Sequence, residues 1–177
     1  MRTAVWKVYV GANAEEFPKD PLASAKIAFG SEDAYFDDQN YAQYRILIKK
    51  GEIVYSFERW FRVIFLDDDT TTIEEAKLYL TGSTAPGAYF RIGTSASYRK
   101  PSNVLNPETS LKTFGFPNGP NEIVPTNPST WLSVRVYKQG SVFVTDYIVA
   151  QLVLDGNYLQ TLNVLNDVRF HLWYREV

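Results

Sequence analysis

Along most of this chain apolar and polar side chains alternate with a period of two, the spacing that sends successive residues to opposite faces of a β-strand. Val5 to Val10 alternates around Trp6, Val8 and Val10 and stops at Gly11. Tyr44 to Lys49 and Ile53 to Tyr55 flank Lys50-Gly51-Glu52, which predicts a hairpin with glycine in its tight turn. Ser56 to Leu66 carries the strongest signal. Phe57, Phe61, Val63 and Phe65 share one face with Arg59 as the exception, and Glu58, Trp60, Arg62, Ile64 and Leu66 share the other. The first set is expected to meet the core, and the second to lie half covered by a neighbour. Asp67-Asp68-Asp69 ends the run in an exposed turn. From Ile73 to Leu80 the pattern predicts a short turn through Glu74-Glu75-Ala76-Lys77 that feeds a strand, and Tyr89 to Ile92 predicts another, stopped by Gly93.

Residues 99–130 break the pattern. Six prolines and five asparagines fall there, from Pro101 to Pro128; proline removes ladder donors and asparagine favours turns, so an irregular segment is expected. Leu105, Leu111, Phe114, Phe116 and Ile123 argue that it packs on something, and with Trp131 they form the candidate protein interface. Alternation then returns. Trp131 to Lys138 sets Leu132, Val134 and Val136 against Trp131, Ser133, Arg135 and Tyr137, and Gln139-Gly140-Ser141 turns the chain into a run from Val142 to Leu154. Asp155-Gly156-Asn157 is a further turn, and Val168 to Tyr174 is the last strand, with Arg169, His171 and Trp173 opposite its apolar face. Together these predict an all-β fold: one antiparallel β-sandwich domain over 1–177, jelly-roll or Ig-like, of about eight to ten strands. Segments 12–43 and 99–130 are read as long loops or arms.

Composition agrees, since aromatic residues make up 15% of the 177 and methionine occurs once. Eighteen basic and twenty acidic residues leave a net charge of −2, which argues against a nucleic-acid partner bound through a basic field. Lys49-Lys50 beside Gly51 reads as a solvated hairpin rim. With no cysteine there are no disulfides, thiolate metal sites or thiol nucleophiles. The first residues lack the apolar run of a signal peptide, and no stretch approaches the length of a membrane-spanning helix, so no membrane partner is expected.

Candidate chemistry is thin. His171 is the sole histidine and has no nucleophile placed near it by sequence, so a surface or interface position is expected. Asp37-Asp38 and Asp67-Asp68-Asp69 offer oxygen ligands to calcium but match no calcium-loop spacing, and they read as solvated turns. Glu58 with Glu52 or Asp67 would be the carboxylate pair of a glycosidase, yet Glu58 lies on a strand beside Arg59 and Arg62, and an ion pair across strands is the simpler account. Gly93-Thr94-Ser95-Ala96-Ser97 lacks the lysine and helix of a phosphate-binding loop. Tyr98, Tyr137, Trp131 and Trp173 are candidates for a sugar-binding platform, which needs three coplanar rings on one exposed face; core or protein interface is the commoner use. No catalytic residue, cofactor or metal is assigned.

Three stretches carry a resemblance: Ser56-Phe57-Glu58-Arg59-Trp60-Phe61-Arg62, then Asp146-Tyr147-Ile148-Val149-Ala150-Gln151-Leu152, then the terminal Phe170-His171-Leu172-Trp173-Tyr174-Arg175-Glu176-Val177. In this they resemble small β-sandwich structural proteins of tailed bacteriophages, over about a third of the chain. Arg175 departs from the acidic pair that usually follows the tyrosine in that ending. The resemblance implies a virion structural protein, foremost a capsid decoration (cement) protein, assembled in the host cytoplasm and located in the virion. Its implied partners are the major capsid protein or other virion proteins, and closed symmetric assembly makes a homo-oligomer the general expectation. A tail or fibre component and a carbohydrate-binding sandwich are the alternatives.

Overall fold

A computed structural model describes residues 2–36, 40–66, 71–84, 87–103, 112–114, 121–123, 131–157 and 168–177. It shows an all-β, sandwich-like fold in which every strand pairing is antiparallel. The strands are β1 (Thr3–Val10), β2 (Glu15–Phe17), β3 (Ile53–Tyr55), β4 (Arg59–Leu66), β5 (Ile73–Thr84), β6 (Ala88–Ser95), β7 (Lys112–Phe114), β8 (Asn121–Ile123), β9 (Leu132–Val134), β10 (Val136–Gln139), β11 (Val142–Thr145), β12 (Tyr147–Asp155) and β13 (Arg169–Glu176). Among the described residues the single helical element is a 3-10 turn, Tyr41–Tyr44.

The larger sheet is built on two long, kinked strands. β3 and β4 lie along β12 and β11, and the register between them steps by one residue at 56–58 and again at 145–147. Each step is a bulge, one extra residue that bends its strand. At the first, Ser56 N–H donates to Leu152 O and the Ser56 hydroxyl accepts from Leu152 N–H, each at 3.0 Å. At the second, Thr145 Oγ1 accepts from Val63 N–H at 3.0 Å. β1 lies on the other side of β4 and carries β2; β6 and then β7 extend the sheet beyond β12, and β10 beyond β11. The smaller sheet sets β13 on one side of β5 and β8 and β9 on the other.

The main core lies between the sheets. Val8, Phe61, Phe90, Ile92, Ile148, Ala150 and Leu152 of the larger sheet meet Leu78, Leu80, Leu132 and Val134 of the smaller. Phe61, Val63 and Phe65 face inward as the alternation predicts, but Trp60 and Arg62 are also buried instead of half covered. The reason is a second cluster on the outer face of the larger sheet, where Tyr9, Trp60 and Val149 pack beneath Ala14, Tyr98 and Tyr147.

Four expectations are corrected. Tyr44 to Lys49 is not a strand: only its turn forms, with Gly51 at φ +80 and Glu52 N–H donating to Lys49 O at 3.2 Å, while β3 pairs with β12 instead. Glu74 to Lys77 forms no turn, because β13 on one side holds it extended and β9 takes up its other side from Ala76 on. Residues 131–138 are two strands. The chain leaves the smaller sheet at Val134 and enters the larger at Val136, so Arg135 sits at a corner between sheets. Segment 99–130 is not wholly irregular, since β7 pairs with β6 and β8 with β5.

The described part of segment 12–43 is fastened down. β2 pairs with β1, Ala25 N–H donates to Trp6 O at 2.7 Å, and Phe57 N–H reaches Gly30 O at 3.0 Å in the first bulge. A Cβ on Gly30 would stand 2.7 Å from both Phe36 Cζ and Tyr44 O, so this contact requires glycine. Phe29 lies between the sheets, its ring centroid 5.2 Å from that of Phe90 and 6.2 Å from that of Phe170.

Candidate functional site

Two aromatic faces result, one buried and one half-buried. On the larger sheet, Tyr9, Trp60, Tyr98 and Tyr147 form a closed group with ring centroids 5.2 to 6.4 Å apart. Tyr9 donates to Glu16 Oε2 at 2.6 Å and Tyr98 donates to Gly11 O at 2.7 Å, which clamps the turn after β1 over the sheet. Burial pushes the phenols of both Tyr9 and Tyr98 well above the ordinary tyrosine value, and the Glu16 carboxylate adds to this at Tyr9.

The charged residues around this group hold loops. Glu58, only 2% exposed, receives both guanidinium arms of Arg99 at 2.7 Å and the Trp60 indole N–H at 3.0 Å. The Arg99 guanidinium lies 5.1 Å from the Trp60 ring centre. Glu58 is thus in an ion pair instead of a carboxylate pair with Glu52, which meets Lys49 at 3.8 Å; its partner is Arg99 and neither of its sequence neighbours Arg59 and Arg62. Arg62 donates to Thr145 O through Nε at 3.1 Å and Nη2 at 2.9 Å, and lies over Tyr147. Arg135 grips Asp146 with two nitrogens at 3.0 and 2.8 Å, tying the corner between sheets to the second bulge.

Arg59 explains the interruption of its apolar face. Its guanidinium donates to Ala28 O at 2.9 Å and Ala34 O at 2.7 Å, and stands 4.6 Å over Phe36. Burial pushes its pKa down to about 10 against the pull of Asp33. The Asp33 carboxylate itself is raised by burial, although it accepts from Gly11 N–H at 2.9 Å. Lys7, buried on β1, donates to Pro18 O at 2.9 Å and to Asp20 O.

The half-buried face belongs to the smaller sheet. Cross-strand register aligns Trp131, Tyr79 and His171 in one row. Trp131 stacks on Tyr79 with centroids 4.3 Å apart and planes at 21°, and Tyr79 stacks on His171 at 4.9 Å and 7°. Thr81 Oγ1 lies 2.7 Å from His171 Nε2. Trp173, 39% exposed, stands one row away, with Lys77 Nζ 5.9 Å from its ring centre.

The four residues nominated as a sugar platform are thus divided, with Tyr98 and Tyr137 on one sheet and Trp131 and Trp173 on the other. The row that does form is stacked face to face, because coplanar rings cannot bring their centres within 5 Å, and its three residues are half-buried. Of the nominated interface residues, Leu105, Leu111 and Phe116 lie outside the described residues. Phe114 pairs by backbone with Phe90, and Ile123 with Gly82; their side chains also lie outside the description. Trp131 is the one described in full. Tyr79 was missed, although it falls with Lys77 and Thr81 on the polar side of the alternation.

Among the described residues no group of three His, Asp or Glu side chains converges as a metal ion requires, and Asp37-Asp38 and Asp67-Asp68-Asp69 lie outside them. No helix there is long and apolar enough to cross a membrane. In comparisons with known proteins, no family model, no curated protein and no solved structure matches the chain significantly.

Proposed function

We propose that this protein is an assembly component that works by surface recognition, and that its place is the virion of a tailed bacteriophage, as a decoration protein on the major capsid lattice. The carrying observation is where the polar chemistry lies. Glu58, Arg59, Arg62, Arg135 and Lys7 each bind a loop, a bulge or a sheet corner. On the outer face of the smaller sheet lies a row of half-buried aromatic rings, with the exposed Trp173 one row away. Aromatic rings bring large contact area at low side-chain entropy, which suits binding to a protein surface. The virion assignment adds the resemblance of the glutamate–aromatic–arginine strand, the Tyr147–Leu152 strand and the aromatic ending. A tail or fibre component is the nearest alternative. The sugar-binding reading asks for coplanar rings, and the stacked row does not offer them.

The test is mass spectrometry of particles purified from a lysate of cells that express the gene together with the phage. Hundreds of copies per particle are the expected result. A handful would move the protein to the tail, neck or fibre, and absence from the particle would overturn the virion assignment.

A further inference from the structure

β13 is the outermost strand of the smaller sheet, and among the described strands it pairs with β5 alone. It is eight residues long, which is ample for pairing with another chain. Phe170 and Leu172 face the main core, yet no residue of β13 is fully buried, whereas eight of the nine residues of β12 are. The apolar side of the sandwich is therefore only partly covered along this edge. The stacked row on the opposite face ends at the same edge, on His171.

We infer that β13 is the seam of a two-fold homodimer, in which two copies pair edge to edge and join their smaller sheets. The strand's own sequence selects the register. A two-fold axis perpendicular to the sheet keeps the same face outward in both copies, so residues that meet across the seam must both be odd-numbered or both even-numbered. Centring on Leu172 sets Arg169 against Arg175 of the second copy, twice, a like-charge contact. Centring on Trp173 sets Phe170 against Glu176 on the core side. Centring on His171 pairs Val168 with Tyr174 and Phe170 with Leu172 on the core side, and Arg169 with Trp173 on the outside. All of those contacts are complementary, since apolar meets apolar and a guanidinium meets an indole. The row then runs without a break from Trp131, Tyr79 and His171 of one copy into the same three rings of the other.

The inference does not depend on the virion assignment, and it is tested on the purified full chain. Light scattering on a sizing column at micromolar concentration is expected to give twice the chain mass. Trp173→Arg places cations opposite Arg169 and should weaken association at least about tenfold. Trp173→Glu should keep the dimer, by offering Arg169 a carboxylate. Because the chain has no cysteine, His171→Cys should form an intermolecular disulfide under mild oxidation, while Ser133→Cys on β9 should not. Circular dichroism checks that each variant is folded. A folded monomeric wild type would overturn the inference. So would a dimer that survives Trp173→Arg and fails to crosslink through His171→Cys, since its seam would lie elsewhere. Particle copy number stays a separate readout, so either idea can fail alone.

Discussion

Glu58, Arg59 and Arg62 are close neighbours in the sequence, yet none of the three pairs with another. Each reaches a partner far along the chain: Arg99 for Glu58, the carbonyls of Ala28 and Ala34 for Arg59, and Thr145 O for Arg62. The extra residue at 56–58 and the alternation of β4 send them to different surroundings, and burial then makes a partner obligatory for each. Tyr9 shows what such burial does to titration. Its raised phenol means that the folded chain holds the proton more tightly than the unfolded one, so this stabilisation is complete below about pH 10 and is lost as pH rises above it. Tyr9→Phe is expected to cost about 1–2 kcal/mol at pH 7, for the lost hydrogen bond to Glu16. In thermal melts from pH 7 to 11.5, the gap between wild type and variant should shrink once the pH passes about 10, because phenylalanine has no proton to lose. A constant gap would show that the Tyr9 proton is not held by the fold.

The elements are joined by loops that cap the bulges. Glu58 accepts from Arg99 and from Ser102 N–H, while its own N–H donates to Ser102 O at 2.8 Å, so the loop after β6 closes over the first bulge. Removing one partner of a buried ion pair costs about 3–5 kcal/mol. The Arg99 side chain is 35% exposed and partly screened, so Arg99→Ala is expected to cost about 1–3 kcal/mol in urea unfolding. Glu58→Gln combined with Arg99→Ala should cost less than the sum of the single changes, since the neutral amide needs no counter-charge. Strict additivity would mean that the pair does not hold the loop. The same element-scale view revises the 99–130 segment. Because β7 and β8 extend one sheet each, deleting residues 103–127 is expected to weaken the sandwich as well as any contact that the segment makes.

At the scale of the whole molecule, the sandwich depends on a third component. Among the described residues the smaller sheet has fewer strands than the larger one, and Ala25, Ile27, Phe29 and Tyr35 of segment 12–43 add to the main core beside it. Phe17 and Tyr35 stack within that segment at 4.9 Å. Phe29→Ala should therefore destabilise the entire fold, by about 2–4 kcal/mol for a large ring removed from a partly buried site. Tryptophan fluorescence and far-ultraviolet circular dichroism should report one coincident transition in urea, shifted to lower denaturant. An early separate transition would mean that the segment is a flap laid on a sandwich that is stable without it.

The all-β class, the positions of β1, β4, β6 and β13, and the inward faces of β4 and β13 follow from the sequence alone, because a period of two with β-branched and aromatic residues has one comfortable conformation. The single run expected from Val142 to Leu154 is divided at Asp146 into β11 and β12. Alternation is a local signal, and it cannot tell which sheet a strand joins. Residues 131–138 alternate without interruption, yet the chain changes sheets at Arg135, because the corner depends on Asp146 across the fold. Tyr44 to Lys49 alternates as well, yet it forms no strand, and β3, its expected hairpin partner, pairs with β12. The aromatic row was equally hidden: Tyr79, Trp131 and His171 come from segments far apart in the chain, and only the register that packs the core beneath them brings the rings together.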